Sequence, residues 1–381
     1  MRTISLNFPK NLVFGNGCSE RFIVDYKTTG CKTLLLITAE PLLKCIYPVA
    51  QKIKADGADV FVYEDVNSEP TIEDFQKALQ FAGRKSIDSV AGIGGGSVLD
   101  LAKLIAAMLY NAQNIQEVLE CGLDKQRQIY LACLPTTSGT GSEVSPNALL
   151  LDESDNLKKG VTSPYLVPDG AYVNPLFTKT VPPSVTAATG LDALIHCIEE
   201  YTNLYAHPVI DMFALEGIRL IGSSLWRAYN DGNDEKARQN VALGSLYGGI
   251  GLGSVNTAAV HALSYPLGGE YHIAHGLSNA LLFPYVIQFN MVESTERYAS
   301  VARALGAEEG KDDYETAKNG VDMIFQLCES LNVKVKLSAL NIPKTALNRL
   351  AEAAMRVERL LKNNPRQVTL EDAKRIYHAA Y

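Results

Sequence analysis

At 381 residues the chain is too long for one ordinary hydrophobic core and suits two domains. A composition of 47% hydrophobic and 20% charged residues is that of a globular protein, and a formal net charge of −7 argues against nucleic acid or an anionic membrane surface as a partner. No run approaches the ~18–20 consecutive apolar residues of a spanning helix. The opening Met1-Arg2-Thr3-Ile4-Ser5-Leu6-Asn7-Phe8 lacks the apolar region and small-residue cleavage site of a signal peptide. Seven cysteines (18, 31, 45, 121, 133, 197 and 328) are an odd number without a CxxC pair, and read as reduced thiols in a cytoplasmic protein.

In the first half, β-branched and leucine-rich runs at 33–37, 59–63, 90–93 and 130–134 read as buried strands. Helical patterns at 42–55, 72–81 and 98–109 alternate with them. Such alternation predicts a parallel sheet with helices on both faces. After Val181-Pro182-Pro183-Ser184 the pattern turns helical, with segments near 185–202, 208–228, 234–251, 256–265, 314–331 and 344–362. Thr369-Leu370-Glu371-Asp372 then reads as a capping box opening a last short helix. The expected domains are 1–182, an α/β dinucleotide-binding half, and 183–381, an all-helical half carrying metal and catalysis.

Two turns in the first half carry chemistry. Gly92-Ile93-Gly94-Gly95-Gly96-Ser97-Val98-Leu99-Asp100 follows a strand and opens a helix. Glycines let the backbone approach a pyrophosphate, and the helix N-terminus offers N–H groups and partial positive charge. The pattern differs from the GxGxxG of the common dinucleotide fold. Directly after the fourth strand, Pro135-Thr136-Thr137-Ser138-Gly139-Thr140-Gly141-Ser142-Glu143 offers hydroxyls and glycines suited to ribose, phosphate or nicotinamide.

The helical half holds the titratable cluster. Of six histidines, four lie in two segments. Asp192 and His196, four apart, share one face of a helix, and the second segment offers His261, His272 and His275. A carboxylate with two or three imidazoles suits a divalent first-row metal, iron or zinc, better than calcium or magnesium. His207 and His378 belong to neither segment and read as structural.

Jointly, Gly94-Gly95-Gly96-Ser97-x-x-Asp100-x-x-Lys103, Pro135-Thr136-Thr137, Gly190-x-Asp192-Ala193-x-x-His196 and His261-Ala262…Pro266-x-Gly268…His275-Gly276 resemble the iron-containing alcohol dehydrogenases. The likeness runs from Phe14-Gly15-x-Gly17 to Asn364-Pro365-Arg366. It implies a dehydroquinate synthase-like architecture, and metal ligands at Asp192, His196, His261 and His275. It also implies NAD or NADP contacts at Gly94, Gly95, Gly96, Ser97, Asp100, Thr136, Thr137 and Lys159.

Two positions depart from the family pattern. Tyr265 stands where many members carry a second histidine, and with Tyr271-His272 this is similar to the 4-hydroxybutyrate dehydrogenase branch. After the first strand, Thr38-Ala39-Glu40 lacks the aspartate that NAD-preferring members place at position 39. Without a carboxylate there, NADP is no longer repelled unless Glu40 swings in.

The implied reaction is metal-assisted hydride transfer between NAD(P) and a small primary alcohol or aldehyde, in a homodimer or higher homo-oligomer. A proton route through Tyr265, His272, a ribose hydroxyl or water is open at this level. The alternatives are reduction of an ω-oxo acid, a synthase or lyase of the same architecture, and a non-enzymatic scaffold. An intact ligand set and glycine turn argue against the last.

Overall fold

The computed structural model describes residues 2–66, 69–154 and 157–381. They form two compact units, one of residues 6–137 and 141–178, the other of Lys179–Tyr381 with Ser138–Thr140 and the N-terminal residues to Ser5. The main division thus falls between Thr178 and Lys179, close to the composition change read from the sequence.

The first unit is built on a six-stranded, wholly parallel sheet in the order β1-β8-β5-β4-β2-β3. These strands are β1 (Asn11–Phe14), β2 (Thr33–Ile37), β3 (Asp59–Tyr63), β4 (Ser89–Gly94), β5 (Tyr130–Pro135) and β8 (Gly170–Val173). A separate antiparallel hairpin joins β6 (Asn147–Asp152) to β7 (Leu157–Thr162). The β2 sequence shows why the run is apolar throughout rather than alternating. Leu34 and Leu36 enter the cluster that contains Phe22, Tyr26 and Ile46, while Leu35 and Ile37 enter the one with Phe75, Leu99 and Leu131. Successive side chains leave a strand on opposite faces, so burial of both faces demands a continuous hydrophobic run. Four strands, β2 to β5, match runs read from the sequence, whereas β1 and β8 were not among them. Both are four residues long and pair side by side along one edge, too short to show a period.

The second unit is helical and packs around the helix Pro183–Thr202. From Gly190 to Thr202 every residue of that helix is buried. It packs against Pro208–Gly222, Glu235–Gly251 and His275–Asn290. A helix buried on all sides has no polar face, so its ionisable residues Asp192, His196, Glu199 and Glu200 each require a specific reason to be there.

Two helices absent from the sequence reading, His275–Asn290 and Thr295–Leu305, follow Ala259–Tyr271. His275–Asn290 carries Pro284 inside and buries residues around its whole circumference, which erases the amphipathic period that would have revealed it. Ala259–Tyr271 likewise runs through Pro266, past the expected stop at 265. Of the expected segment 208–228, Pro208–Gly222 and Leu225–Asn230 form as separate helices. Among the described residues no helix is long and apolar enough to cross a membrane.

Candidate metal centre and glycine-rich turn

In the helical unit, three of the expected ligands converge: one donor atom each from Asp192, His261 and His275 lie within 4.8 Å of one another. His261 Nε2 stands 3.6 Å and His275 Nε2 3.8 Å from Asp192 Oδ1. Those separations are too long for hydrogen bonds and suit donors that share a cation.

The surroundings fix the ring orientations. Glu199 Oε2 lies 2.6 Å from His261 Nδ1, and Glu199 Oε1 accepts the Val260 backbone N–H at 2.6 Å. With a proton held on Nδ1 by a carboxylate, His261 turns its Nε2 toward Asp192, the arrangement found behind histidine ligands of metals. That Nε2 is buried without a hydrogen-bond partner. Asn279 Nδ2 donates to Asp192 Oδ1 at 2.7 Å, and Asn279 is in turn held by the Ser264 hydroxyl.

His196 lies outside the three-residue group. Its ring stacks on His261 with centroids 4.8 Å apart at 14°, and its buried Nδ1 has no partner. The backbone of Gly139, in the polar turn whose residues 138–140 belong to the helical unit, works to raise the His196 ring.

The electrostatics point the same way. Burial would raise the Asp192 carboxyl, but His196, His275 and His261 around it hold it well below the usual carboxylate range. Burial pushes the His196 imidazole down. For His261 burial works in the same direction, yet Glu199 and Asp192 outweigh it and raise the ring to about 9. Two carboxylates buried among imidazoles favour a positive charge between them, which a proton on His261 supplies in the metal-free cluster and a divalent cation can replace. The donor set and the two orphaned ring nitrogens therefore fit a divalent metal.

Close backbone approach sets this geometry. A Cβ at Gly276 would lie 2.3 Å from the Ala188 carbonyl oxygen, so only glycine lets the start of the His275 helix close on the Asp192 helix. At Gly248, on the helix Glu235–Gly251, a Cβ would sit tightly against the His196 Cβ at 3.1 Å.

Tyr265, one turn after His261, is buried with its ring centroid 6.2 Å from that of His275. Arg359 donates to its hydroxyl at 3.3 Å. Burial pushes the phenol up, and the guanidinium opposes that shift. His272 is placed differently: it is exposed, at the C-cap of Ala259–Tyr271 with φ 52°, and no hydrogen bond or ring contact among the described residues ties it to the cluster. It turns the chain between two helices.

In the sheet unit, Gly95 is the N-cap of the helix Gly96–Met108, which opens with no side-chain cap and no acidic residue in its first turn. Its first N–H groups are thereby left for a ligand. The Thr136 N–H donates to the Gly94 carbonyl at 2.9 Å, and Thr137 Oγ1 lies 3.3 Å from where a Gly95 Cβ would be. The two polar turns expected from the sequence thus meet at the ends of β4 and β5.

Asp100 and Lys159 each have partners within the sheet unit. Asp100 accepts from Ser142 Oγ at 2.5 Å and from the Leu149 N–H at 2.9 Å. Lys103, fully buried, donates to the Ser142 carbonyl at 2.9 Å and to the Asn147 carbonyl. Together they tie the helix to the β6–β7 hairpin. Lys159, on β7, pairs with Asp152 at 2.5 Å. Ala39 is half-buried and forms an isolated antiparallel bridge with Asp65. Glu199 and Asn279 were missed in the sequence, and Gly139 and Gly276 stood in quoted motifs without a stated role; the signal for Glu199 was an acidic residue about one turn beyond His196.

A parallel α/β unit with a phosphate-type turn and a helical unit with a buried carboxylate–imidazole cluster define a metal-assisted, dinucleotide-using oxidoreductase. Family comparison agrees. Residues 9–175 match the iron-containing alcohol dehydrogenase model, and residues 186–381 match the C-terminal model of the same Fe-containing family. The chain belongs to the iron-containing alcohol dehydrogenase family. It is 38% identical to long-chain-alcohol dehydrogenase 1 of Geobacillus thermodenitrificans, over 100% of this chain and 98% of that one. It is 32% identical to alcohol dehydrogenase 4 of Schizosaccharomyces pombe, over 98% and 88%. The solved alcohol dehydrogenase of Oenococcus oeni superposes with a TM-score of 0.95 at 28% identity, covering 100% of both chains. The protein is therefore an enzyme of alcohol and aldehyde oxidation–reduction. The ω-oxo-acid and lyase alternatives gain no support from these relatives.

Proposed function

We propose that the chain interconverts a small primary alcohol and its aldehyde, exchanging hydride with a nicotinamide dinucleotide. The observation that carries this reading is the convergence of Asp192, His261 and His275 with Glu199 behind His261. Asp192, His196, His261 and His275 are the ligands of a divalent metal, Fe(II) first on the family's account and Zn(II) second, both suited to this donor set. Support for His196 is its buried, unpartnered Nδ1 one helical turn from Asp192. When bound, such a metal supplies Lewis acidity that polarises the carbinol or carbonyl oxygen.

The chain's own residues do the rest. Glu199 keeps His261 in the Nδ1–H tautomer. Asn279 orients Asp192. Gly94, Gly95, Gly96 and Ser97 receive the pyrophosphate on the uncapped helix terminus, with Thr136 and Thr137 beside them. Tyr265 borders His275 and is the residue we assign to hold or pass the proton of the substrate hydroxyl. Asp100 serves as a positioning residue, since both its oxygens are bound within the unit.

Seven unpaired cysteines support a cytoplasmic setting. Exposed Leu204, Tyr205, Val209 and Met212, close together in sequence, support assembly into a homodimer or larger homo-oligomer. Incubation with Fe(II) or Zn(II), NAD(H) or NADP(H) and primary alcohols and aldehydes of increasing length, followed by nicotinamide absorbance, tests the proposal. No metal-dependent absorbance change with any of these substrates would refute it.

A further inference from the structure

Three segments lie side by side at the carboxyl edge of the sheet. Because β4, β2 and β3 are parallel neighbours, Gly94–Ser97, Ala39 and Asp65 all follow strand ends on the same edge. Thr38 stitches them together: its hydroxyl donates to the Ile93 carbonyl at 2.9 Å and its N–H to the Tyr63 carbonyl at 2.9 Å. Ligands of open parallel sheets bind outside the carboxyl ends of the strands, and a carboxylate beyond the phosphate turn selects the ribose.

Ala39 offers no such carboxylate, but its bridge partner does. Directly opposed residues of an antiparallel pair put their Cβ atoms on the same face, roughly 4.5–5.5 Å apart. Ala39 packs toward the cluster containing Tyr63 and Phe75. Asp65 is exposed and lines an open cavity of about 520 Å³ with Tyr63, Lys77, Phe81 and Arg84. That volume falls within the range of small-ligand sites, roughly 300–1,000 Å³. Of the two cations, Lys77 is paired with Glu73 at 2.9 Å and stands 3.9 Å from Asp74.

We propose that Asp65 reads the 2′ position of the adenosine ribose, accepting hydrogen bonds from the hydroxyls of NAD(H) and repelling the 2′-phosphate of NADP(H). This role runs against the NADP tolerance expected from position 39. This rests on the glycine turn being the pyrophosphate site.

The test is calorimetric titration of the purified full chain with NAD+ and NADP+, which needs no turnover. The wild type binds NAD+ more tightly. Asp65→Asn and Asp65→Ser lower the NAD+/NADP+ preference by at least ~10-fold, equivalent to ~1.4 kcal/mol, with an unchanged melting temperature because the side chain is exposed. An unchanged preference in both variants, with NAD+ binding intact in the wild type, overturns the assignment of Asp65 alone. A wild type that prefers NADP+ and loses that preference in Arg84→Ala overturns it in favour of Arg84. Failure of the wild type to bind either dinucleotide overturns the underlying reading of the turn as well.

Discussion

Glu199 accepts two N–H donors with its two oxygens, the His261 ring and the Val260 backbone. Glutamine has a single acceptor oxygen, so in Glu199→Gln one donor faces an NH2 group. We expect metal affinity to fall roughly 10- to 100-fold, as for other partners of ligating histidines, with the melting temperature of the metal-free protein little changed. Competition with a chelator measures it, and wild-type affinity would show that Glu199 does not orient His261. His196→Ala is the sharper case. It removes a buried nitrogen that has no partner, so the metal-free fold should persist while bound metal and activity are nearly lost. Elemental analysis that finds the wild-type metal content in this variant would remove His196 from the ligand set.

Among elements, the approach of His275–Asn290 to Pro183–Thr202 is the contact that assembles the cluster, and Gly276 permits it. Gly276→Val must push the new side chain into the Ala188 carbonyl. Overpacking of this kind costs roughly 1–3 kcal/mol. The same displacement moves His275 away from Asp192, so we expect a lower melting temperature together with loss of metal. A destabilised variant with unaltered metal affinity would mean that His275 is positioned by other contacts. In the sheet unit, the Asp100–Lys103 pair anchors the helix that follows the glycine turn. Burial pushes Asp100 up and Lys103 down; the Ser142 hydroxyl and the Leu149 N–H donate to Asp100, and the Ser142 and Asn147 carbonyls accept from Lys103.

For the whole molecule, pH dependence follows from buried acids as well as from the metal cluster. Burial raises the Glu143 carboxyl from 4.5 to about 7. Between those values the folded chain holds a proton that the unfolded chain has released, so this group's contribution to stability declines as pH rises from 4.5 to about 7. Below that window the contribution is fully present, and above it the loss is complete. Glu143→Gln, neutral at every pH, should flatten the decline. Denaturant unfolding at pH 5 and pH 7 checks this, and an identical pH slope in the variant would show that Glu143 is not the group responsible.

Sequence alone determined the parallel sheet, the helical second half and the two polar turns, because those features are written in local periodicity and glycine placement. The runs that became β2 to β5 are apolar on both faces, and the turn at Gly94–Ser97 follows a strand and opens a helix. The acid and imidazoles of the cluster were legible as residue types, four apart at Asp192 and His196 and crowded between His261 and His275. Tertiary structure decided which of them meet. His272 and His275 are three apart in sequence, yet one caps a helix in solvent while the other opens a buried helix against Asp192. Glu199 gained its role only when another helix brought His261 to it, and Asp65 only when a bridge set it beside Ala39. Such pairings depend on side chains distant in the chain, and local pattern carries no record of which distant residue will lie opposite.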